Sequence, residues 1–184
     1  MKNKLAIFDL DGTLFDTNEV NYQAYRSAME ELGYQLSRQY YVTYCNGRHY
    51  TDFLSSIISD QEDIERIHSL KKSRYKQYLN YARVNQHLFS MILLLKQDYH
   101  IAIVTTASRQ NCDDILTYFK KENLFEYIVA QEDVMNVKPD PEGILKAMRK
   151  FDMESKNTVI FEDSVSGIKA GIKSGATVLK IENF

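Results

Sequence analysis

The chain has 184 residues, of which 44% are hydrophobic and 26% charged, and its formal net charge is −2. This composition argues against a disordered chain, and the length suits one ordinary domain or a core domain with an inserted subdomain. The basic residues are scattered rather than gathered in a stripe, so we expect no nucleic acid partner.

The longest apolar run, Met91 to Leu95, is far shorter than the roughly 20 residues that a membrane span needs. We interpret it as one buried helix face and expect no membrane association. The N-terminus shows no apolar stretch of signal-peptide length, which favours a cytoplasmic protein. Cys45 and Cys112 match no Cys-x-x-Cys pattern, so we expect reduced, structural thiols. The sequence leaves open whether the chain is a monomer or a small homo-oligomer.

Short apolar runs predict buried strands, because both faces are apolar and the runs are too short for helices. They are Leu5 to Phe8, Ile101 to Val104, Tyr127 to Val129, Thr158 to Phe161 and Thr177 to Ile181. Helical patterns follow at Gln110 to Glu122, Glu142 to Phe151 and Ser166 to Ser174. Asp140 is expected to cap the second of these helices, with Pro141 at its first position. This alternation predicts an α/β fold with a Rossmann-like parallel sheet flanked by helices.

From about Phe15 to Arg83 the pattern changes to helical spacing, with no convincing strand. We therefore predict an inserted all-helical subdomain at residues 16–83, between core segments at residues 1–15 and 84–184. The insertion is rich in tyrosine. We interpret most of these tyrosines as half-buried packing residues with solvated hydroxyls rather than as the lining of a cleft.

The first predicted strand leads into Asp9, followed by Asp11 and Gly12 in the stretch LAIFDLDGTLFDT. In an open parallel sheet, ligands bind outside the carboxyl ends of the strands. Two carboxylates about 4 Å apart repel by roughly 4 kcal/mol at an effective dielectric of 20. A divalent cation, a lysine or a retained proton should offset that repulsion. A simple Asp-Gly turn is the alternative, whereas the spacing rules out an EF-hand.

Three further polar stretches fall just after predicted strands or in loops on the same side of the sheet: IVTTASR, NVKPDPEG and VIFEDSVSGIKAG. A hydroxyl at a strand end can hold a phosphate oxygen, a lysine can neutralise it, and an acidic pair can bind Mg²⁺. Together with the two aspartates, these groups form a set suited to phosphoryl transfer.

With these four segments in order, the sequence resembles the haloacid dehalogenase-like hydrolase superfamily. The resemblance is to the subgroup with a small helical cap after the first strand, which includes β-phosphoglucomutases and phosphoglycolate phosphatases. It implies that Asp9 is the nucleophile and Asp11 the general acid and base, with Thr13 helping to set the loop. Lys138, in KPDP, would steady the nucleophile and the phosphate.

The same resemblance implies a phosphate-binding hydroxyl in the second motif, with the register open between Thr105 and Thr106. It implies a Mg²⁺ ion held by the Asp9 carboxylate, the backbone carbonyl of Asp11 and Asp163, with Glu162 as a further candidate ligand. The predicted function is thus a Mg²⁺-dependent phosphatase that hydrolyses a small phosphorylated metabolite through an aspartyl-phosphate. The alternatives are a sugar-phosphate phosphomutase and a non-catalytic metabolite-binding protein on the same fold.

Some positions depart from the family pattern. β-phosphoglucomutases carry a histidine where this chain has Asn21, which disfavours the mutase. The Pro-Gly pair usual before the helix leading to the second motif is replaced by NQHLFSM, so we expect a less sharply kinked connection. Asp11 argues against dehalogenation, because a halide leaving group needs no proton. The stretch GIKAGIKSG fails the P-loop spacing, and we interpret its glycines as allowing a helix to approach the sheet closely.

Overall fold

The computed structural model describes residues 2–46, 48 and 50–182. The chain forms two compact units, one from Met1–Asp16 and Arg83–Phe184 and the other from Thr17–Ala82. No helix within the described ranges has the length and apolar character that crossing a bilayer requires.

A five-stranded parallel sheet forms the centre of the first unit. Its strands are β1 (Lys4–Phe8), β4 (Tyr99–Val104), β5 (Tyr127–Val129), β6 (Thr158–Glu162) and β7 (Thr177–Lys180). Their spatial order is β5-β4-β1-β6-β7, so β1 lies in the middle between β4 and β6. The predicted α/β fold with a parallel sheet is confirmed.

Helices cover this sheet, and the first unit also contains a short two-stranded ribbon. The helices of the first unit are α5 (Gln86–Leu95), α6 (Arg109–Tyr118), α7 (Glu142–Lys150) and α8 (Val165–Ser174). The ribbon pairs β2 (Phe15–Asp16) with β3 (Arg83–Val84) in antiparallel fashion. Residues of α7 and α8 share a core cluster with Leu5 and Ile7 of β1, while the alternate residues Ala6 and Phe8 point to the opposite face. Both sets are buried, so the apolar run of β1 reflects a strand covered on both sides.

The second unit contains helices and turns and, among its described residues, no strand. Its helices are α1 (Asn18–Glu31), α2 (Arg38–Tyr40), α3 (Tyr50–Leu54) and α4 (Gln61–Arg74), with a π-helix at Tyr41–Cys45 and a 3₁₀ helix at Tyr75–Tyr81. Tyr22, Tyr25 and Tyr41 belong to its core cluster, and the ammonium of Lys71 lies 5.2 Å from the ring centre of Tyr25. These tyrosines are buried more deeply than the half-buried positions we expected.

Other local predictions also differ from the structure, among them the helix expected at Gln110 to Glu122, which ends at Tyr118. The run Met91 to Leu95 is not one buried face: Ile92 is buried, but Leu93 and Leu94 are 59% and 72% exposed. Successive residues of a helix are about 100° apart, so five in a row cannot all face the core. Helix α7 begins at Glu142 rather than Pro141, although the Asp140 carboxylate does accept a hydrogen bond from the amide of Glu142 at 2.9 Å.

Cys45 and Cys112 are both buried and free. Burial raises the pKa of the Cys112 thiol above its ordinary value, which keeps it protonated. This agrees with the expectation of structural thiols.

Candidate active site

The carboxyl ends of three neighbouring strands deliver the candidate site residues. Asp9 follows β1, Glu162 ends β6 and precedes Asp163, and Thr105 follows β4. The amide of Asp9 donates to the carbonyl oxygen of Phe161 at 3.0 Å, which continues the ladder between the two strands up to the site. Because β1 lies between β4 and β6, the sheet brings these side chains to one edge.

Lys138 reaches this edge from the segment between β5 and α7. Its Nζ donates to Oδ1 of Asp9 and to Oε2 of Glu162, both at 2.6 Å. The three side chains are at most 9% exposed. Burial alone would lower the pKa of Lys138, but the two carboxylates outweigh it and raise the pKa above its ordinary value. The lysine is therefore a fixed positive charge between two carboxylates.

Asp9 itself is deeply buried beside this ammonium. Burial raises the pKa of its carboxyl well above the ordinary value, Lys138 opposes that rise, and Glu162 adds to it. Burial likewise raises the pKa of Asp163. Ligand oxygens of Asp9, Glu162 and Asp163 lie within 4.8 Å of one another. Three carboxylates thus face one ammonium, and the excess negative charge fits a divalent cation with oxygen ligands such as Mg²⁺.

The two acidic residues of the fourth segment differ in their partners. Oε1 of Glu162 accepts from the amide and the hydroxyl of Ser164, at 3.0 and 2.8 Å, while Oε2 accepts from Lys138. Asp163 is more exposed than the 1% exposed Glu162, and its Oδ1 accepts from the Thr13 hydroxyl at 2.7 Å. Protein donors therefore engage both oxygens of Glu162, which suits it to holding Lys138.

The loop after Asp9 comes close to Asp163. Gly12 has a φ of +89°, and a Cβ atom at this residue would stand 2.2 Å from Oδ2 of Asp163. Its amide donates to the carbonyl oxygen of Phe15 at 2.7 Å, which closes a tight turn over residues 12–15, directly after half-buried Asp11. The glycine is required both by its backbone conformation and by the nearby carboxylate.

The two candidate hydroxyls of the second segment lie in different surroundings. Thr105 is 6% exposed, and its Oγ1 accepts from the amide of Ala107 at 3.0 Å, whereas Thr106 is exposed. Both line, with Lys138, a depression at the ends of β4 and β5. A hydroxyl that accepts one hydrogen bond can still donate its own proton to an anion.

Sequence reasoning missed several residues that support the site. Ser164 was not singled out, although a serine after an acidic pair at the end of a strand is a typical helix N-cap, and its Oγ accepts from the amide of Gly167 at 3.0 Å. For Gly167 the sequence predicted only close packing of a helix against the sheet. Asn85 was noted only as the first residue of NQHLFSM, the stretch that replaces the usual Pro-Gly pair. The role of Asn85 depends on a contact with Thr13, which lies 72 residues away in the chain, and no local pattern reports such a contact.

Comparison with known proteins agrees with this fold. Residues 6–181 match the family model described as haloacid dehalogenase-like hydrolase. The chain therefore belongs to this family of hydrolases, and the resemblance seen in its sequence is confirmed.

Individual relatives cover most of the chain. PpaX, a pyrophosphatase from Bacillus mycoides, is 29% identical over 185 residues, which cover 98% of this chain and 84% of that protein. The crystal structure of CbbY from Rhodobacter sphaeroides, in complex with phosphate, has a TM-score of 0.86 at 23% identity and covers 99% of this chain and 87% of that one. The crystal structure of a HAD-superfamily hydrolase of subfamily IA from Geobacter sulfurreducens has a TM-score of 0.77 at 22% identity. It covers 97% of this chain and 86% of that one.

Proposed function

We propose that this chain is a Mg²⁺-dependent phosphatase that hydrolyses the phosphate ester of a small metabolite through an aspartyl-phosphate on Asp9. One observation carries the proposal: the buried Lys138 ammonium bridges Asp9 and Glu162 at 2.6 Å, with Asp163 next to them. A structural ion pair needs only one carboxylate, whereas a surplus of carboxylates at the carboxyl edge of the sheet suits a cation and a phosphate.

The ligands that we assign to Mg²⁺ are the carboxylates of Asp9 and Asp163 and the backbone carbonyl of Asp11. Glu162 stands as a weaker candidate, because Ser164 and Lys138 already engage its oxygens. When bound, the ion supplies positive charge that lowers the repulsion between an anionic phosphate and the carboxylates.

The chain's own residues then divide the reaction into two displacements. The Asp9 carboxylate attacks phosphorus, so that an Asp9 oxygen–phosphorus bond forms while the bond to the ester oxygen breaks. Asp11 gives its proton to the departing oxygen and later takes a proton from a water molecule. The oxygen of that water bonds to phosphorus while the Asp9 oxygen–phosphorus bond breaks, which releases phosphate and restores the Asp9 carboxylate. Lys138 offsets charge on Asp9 and on the phosphoryl oxygens, and we assign Thr105 as the hydroxyl that donates to one of them, with exposed Thr106 as the alternative.

The helical unit, Thr17–Ala82, corresponds in this proposal to a cap over the substrate. We infer that the protein acts in the cytoplasm on a free metabolite, as a monomer or a small homo-oligomer, without nucleic acid or membrane partners. The mutase alternative is weakened by Asn21, because an amide cannot carry a proton to a sugar hydroxyl. Its Nδ2 instead donates to the carbonyl and the hydroxyl oxygen of Thr17, both at 3.2 Å.

A phosphatase screen with and without Mg²⁺ tests the proposal. The substrates are p-nitrophenyl phosphate, sugar phosphates, phosphoglycolate and nucleotides, with pyrophosphate included because relatives are named pyrophosphatases. We expect Mg²⁺-dependent release of phosphate by the wild type and none by Asp9→Asn, which should remain folded. Undiminished hydrolysis by that variant would refute the nucleophile, and a blank screen with Mg²⁺ bound would favour a non-catalytic binding protein.

A further inference from the structure

Asn85 is a buried asparagine, 4% exposed, between β3 and α5. Its Nδ2 donates to the carbonyl oxygen of Thr13 at 3.1 Å, and its Oδ1 accepts from the amide of Leu88 at 3.2 Å. Its own amide donates to the carbonyl oxygen of Leu14 at 3.0 Å. Two hydrogen bonds thus join Asn85 to the loop that follows Asp9, and the third caps the start of α5.

Thr13 connects this bridge to the site. It is fully buried, and its hydroxyl donates to Oδ1 of Asp163 at 2.7 Å. Asn85 therefore holds the backbone of the residue whose side chain holds Asp163. Since a side chain follows its backbone, a shift of Thr13 changes the orientation of the Asp163 carboxylate.

Helix capping alone does not require an asparagine at residue 85. Serine and aspartate cap helices about as well and would retain an oxygen that accepts from the Leu88 amide. Only an amide also offers an N–H to the buried carbonyl of Thr13. The side-chain N–H of Asn85 is therefore directed at the loop that follows Asp9 and not at helix α5.

We propose that Asn85 is a positioning residue for the divalent-cation site, acting through Thr13 on Asp163. This inference rests on the proposed function only in taking Asp163 as a ligand of Mg²⁺. Residues that hydrogen-bond to the ligands of a metal orient those ligands, and loss of such a residue typically weakens metal binding about 10- to 100-fold. Asn85 lies one residue further away, so a smaller effect is expected.

The test is calorimetric titration of MgCl₂, without substrate, into the wild type and four variants. Asn85→Ser and Asn85→Asp keep an oxygen that can cap the helix and lose the side-chain N–H that donates to the Thr13 carbonyl. Equal effects of the two variants would exclude an effect of the charge that aspartate adds. Thr13→Val removes the hydroxyl at nearly constant shape. We expect Mg²⁺ binding about five- to tenfold weaker in each Asn85 variant and about tenfold weaker in Thr13→Val. The double variant Asn85→Ser with Thr13→Val should bind no more weakly than Thr13→Val alone, because both act through one bond.

Thermal unfolding in a chelator separates this role from a purely structural one. A lower unfolding temperature with unchanged Mg²⁺ affinity overturns the proposal, as do additive losses in the double variant. A wild type that binds no Mg²⁺, or a failure of both Asn85 variants to fold, also overturns it. If Mg²⁺ binds as expected but no phosphate ester is hydrolysed, the proposed function fails while the role of Asn85 stands.

Discussion

Gly167 lies directly against the carboxylate of Glu162: a Cβ atom at residue 167 would stand 2.0 Å from both Cδ and Oε2. The first turn of α8 can therefore pass the site only with a glycine at this position. Because Oε2 accepts a hydrogen bond from Lys138, a larger side chain at residue 167 would displace Glu162 and with it the lysine. The expected close approach of a helix to the sheet is confirmed here, and at Gly167 it also bears on the site.

Gly167→Ala should therefore impair catalysis more than folding. The methyl group would push Glu162 away from Lys138, and a displacement of about 1 Å can cost about 100-fold in kcat. The measurement is kcat per folded molecule, together with urea denaturation. The matched control is Gly171→Ala, whose methyl would meet Val178 Cγ2 at 2.5 Å, away from the site. Overpacking should destabilise both variants by about 1–3 kcal/mol, and equal kcat values would contradict the assignment.

Lys138→Met should destabilise the protein most when no divalent cation is present. Removing the ammonium leaves buried carboxylates without their partner, which costs about 3–5 kcal/mol. Mg²⁺ should recover part of this loss. In urea denaturation, the difference in free energy of unfolding between the variant and the wild type should therefore be smaller in magnesium than in a chelator. Lys156→Met is the control, since that exposed lysine pairs with exposed Glu154 and should change stability little. A difference of the same size in both buffers would argue against a cation among the carboxylates.

Asp11→Asn should affect substrates according to their leaving groups. An alkoxide needs a proton as it departs, whereas p-nitrophenolate departs without one, so only the alkyl ester depends strongly on a general acid. We expect kcat to fall by about 10²- to 10⁴-fold for an alkyl phosphate and by less than about tenfold for p-nitrophenyl phosphate. Steady-state rates on the two esters check this, with Asp9→Asn inactive on both. Equal losses would exclude the acid role.

Glu126 should stabilise the fold in a pH-dependent way. Partial burial alone would raise its pKa, but hydrogen bonds from Lys2, His100 and the amide of Ile101 lower it below 4.5. A lowered pKa means that the ionised group stabilises the folded state above about pH 4.5, and that this is lost as the pH falls through the folded pKa.

Glu126→Gln should therefore cost about 1 kcal/mol at pH 7 and progressively less below about pH 4.5, measured by urea denaturation. The control is Glu154→Gln, since that carboxylate has an exposed lysine partner and should give a smaller loss. A loss that does not change with pH would mean that the effect of Glu126 comes from packing rather than charge.

The sequence by itself determined the order of the strands along the chain and the residues at their ends. A strand buried on both faces must be apolar throughout, so β1 and β6 are visible as runs that stop where Asp9 and Glu162 begin. The carboxyl ends of parallel neighbours share one edge, which made it reasonable to expect these residues together. Local patterns carry this information because burial and hydrogen bonding repeat along each element.

Only the tertiary structure decided which partner each side chain has. The hydrogen bond from Lys138 to Asp9 and the link from Asn85 to Thr13 join segments far apart in the chain. The preference for Thr105 rests on its burial, which depends on the packing of whole elements around it. The same holds for the exposed Leu93 and Leu94, because hydrophobicity alone does not say which helix face meets the sheet. Such contacts depend on the packing of whole elements, and a residue's neighbours in sequence do not encode them.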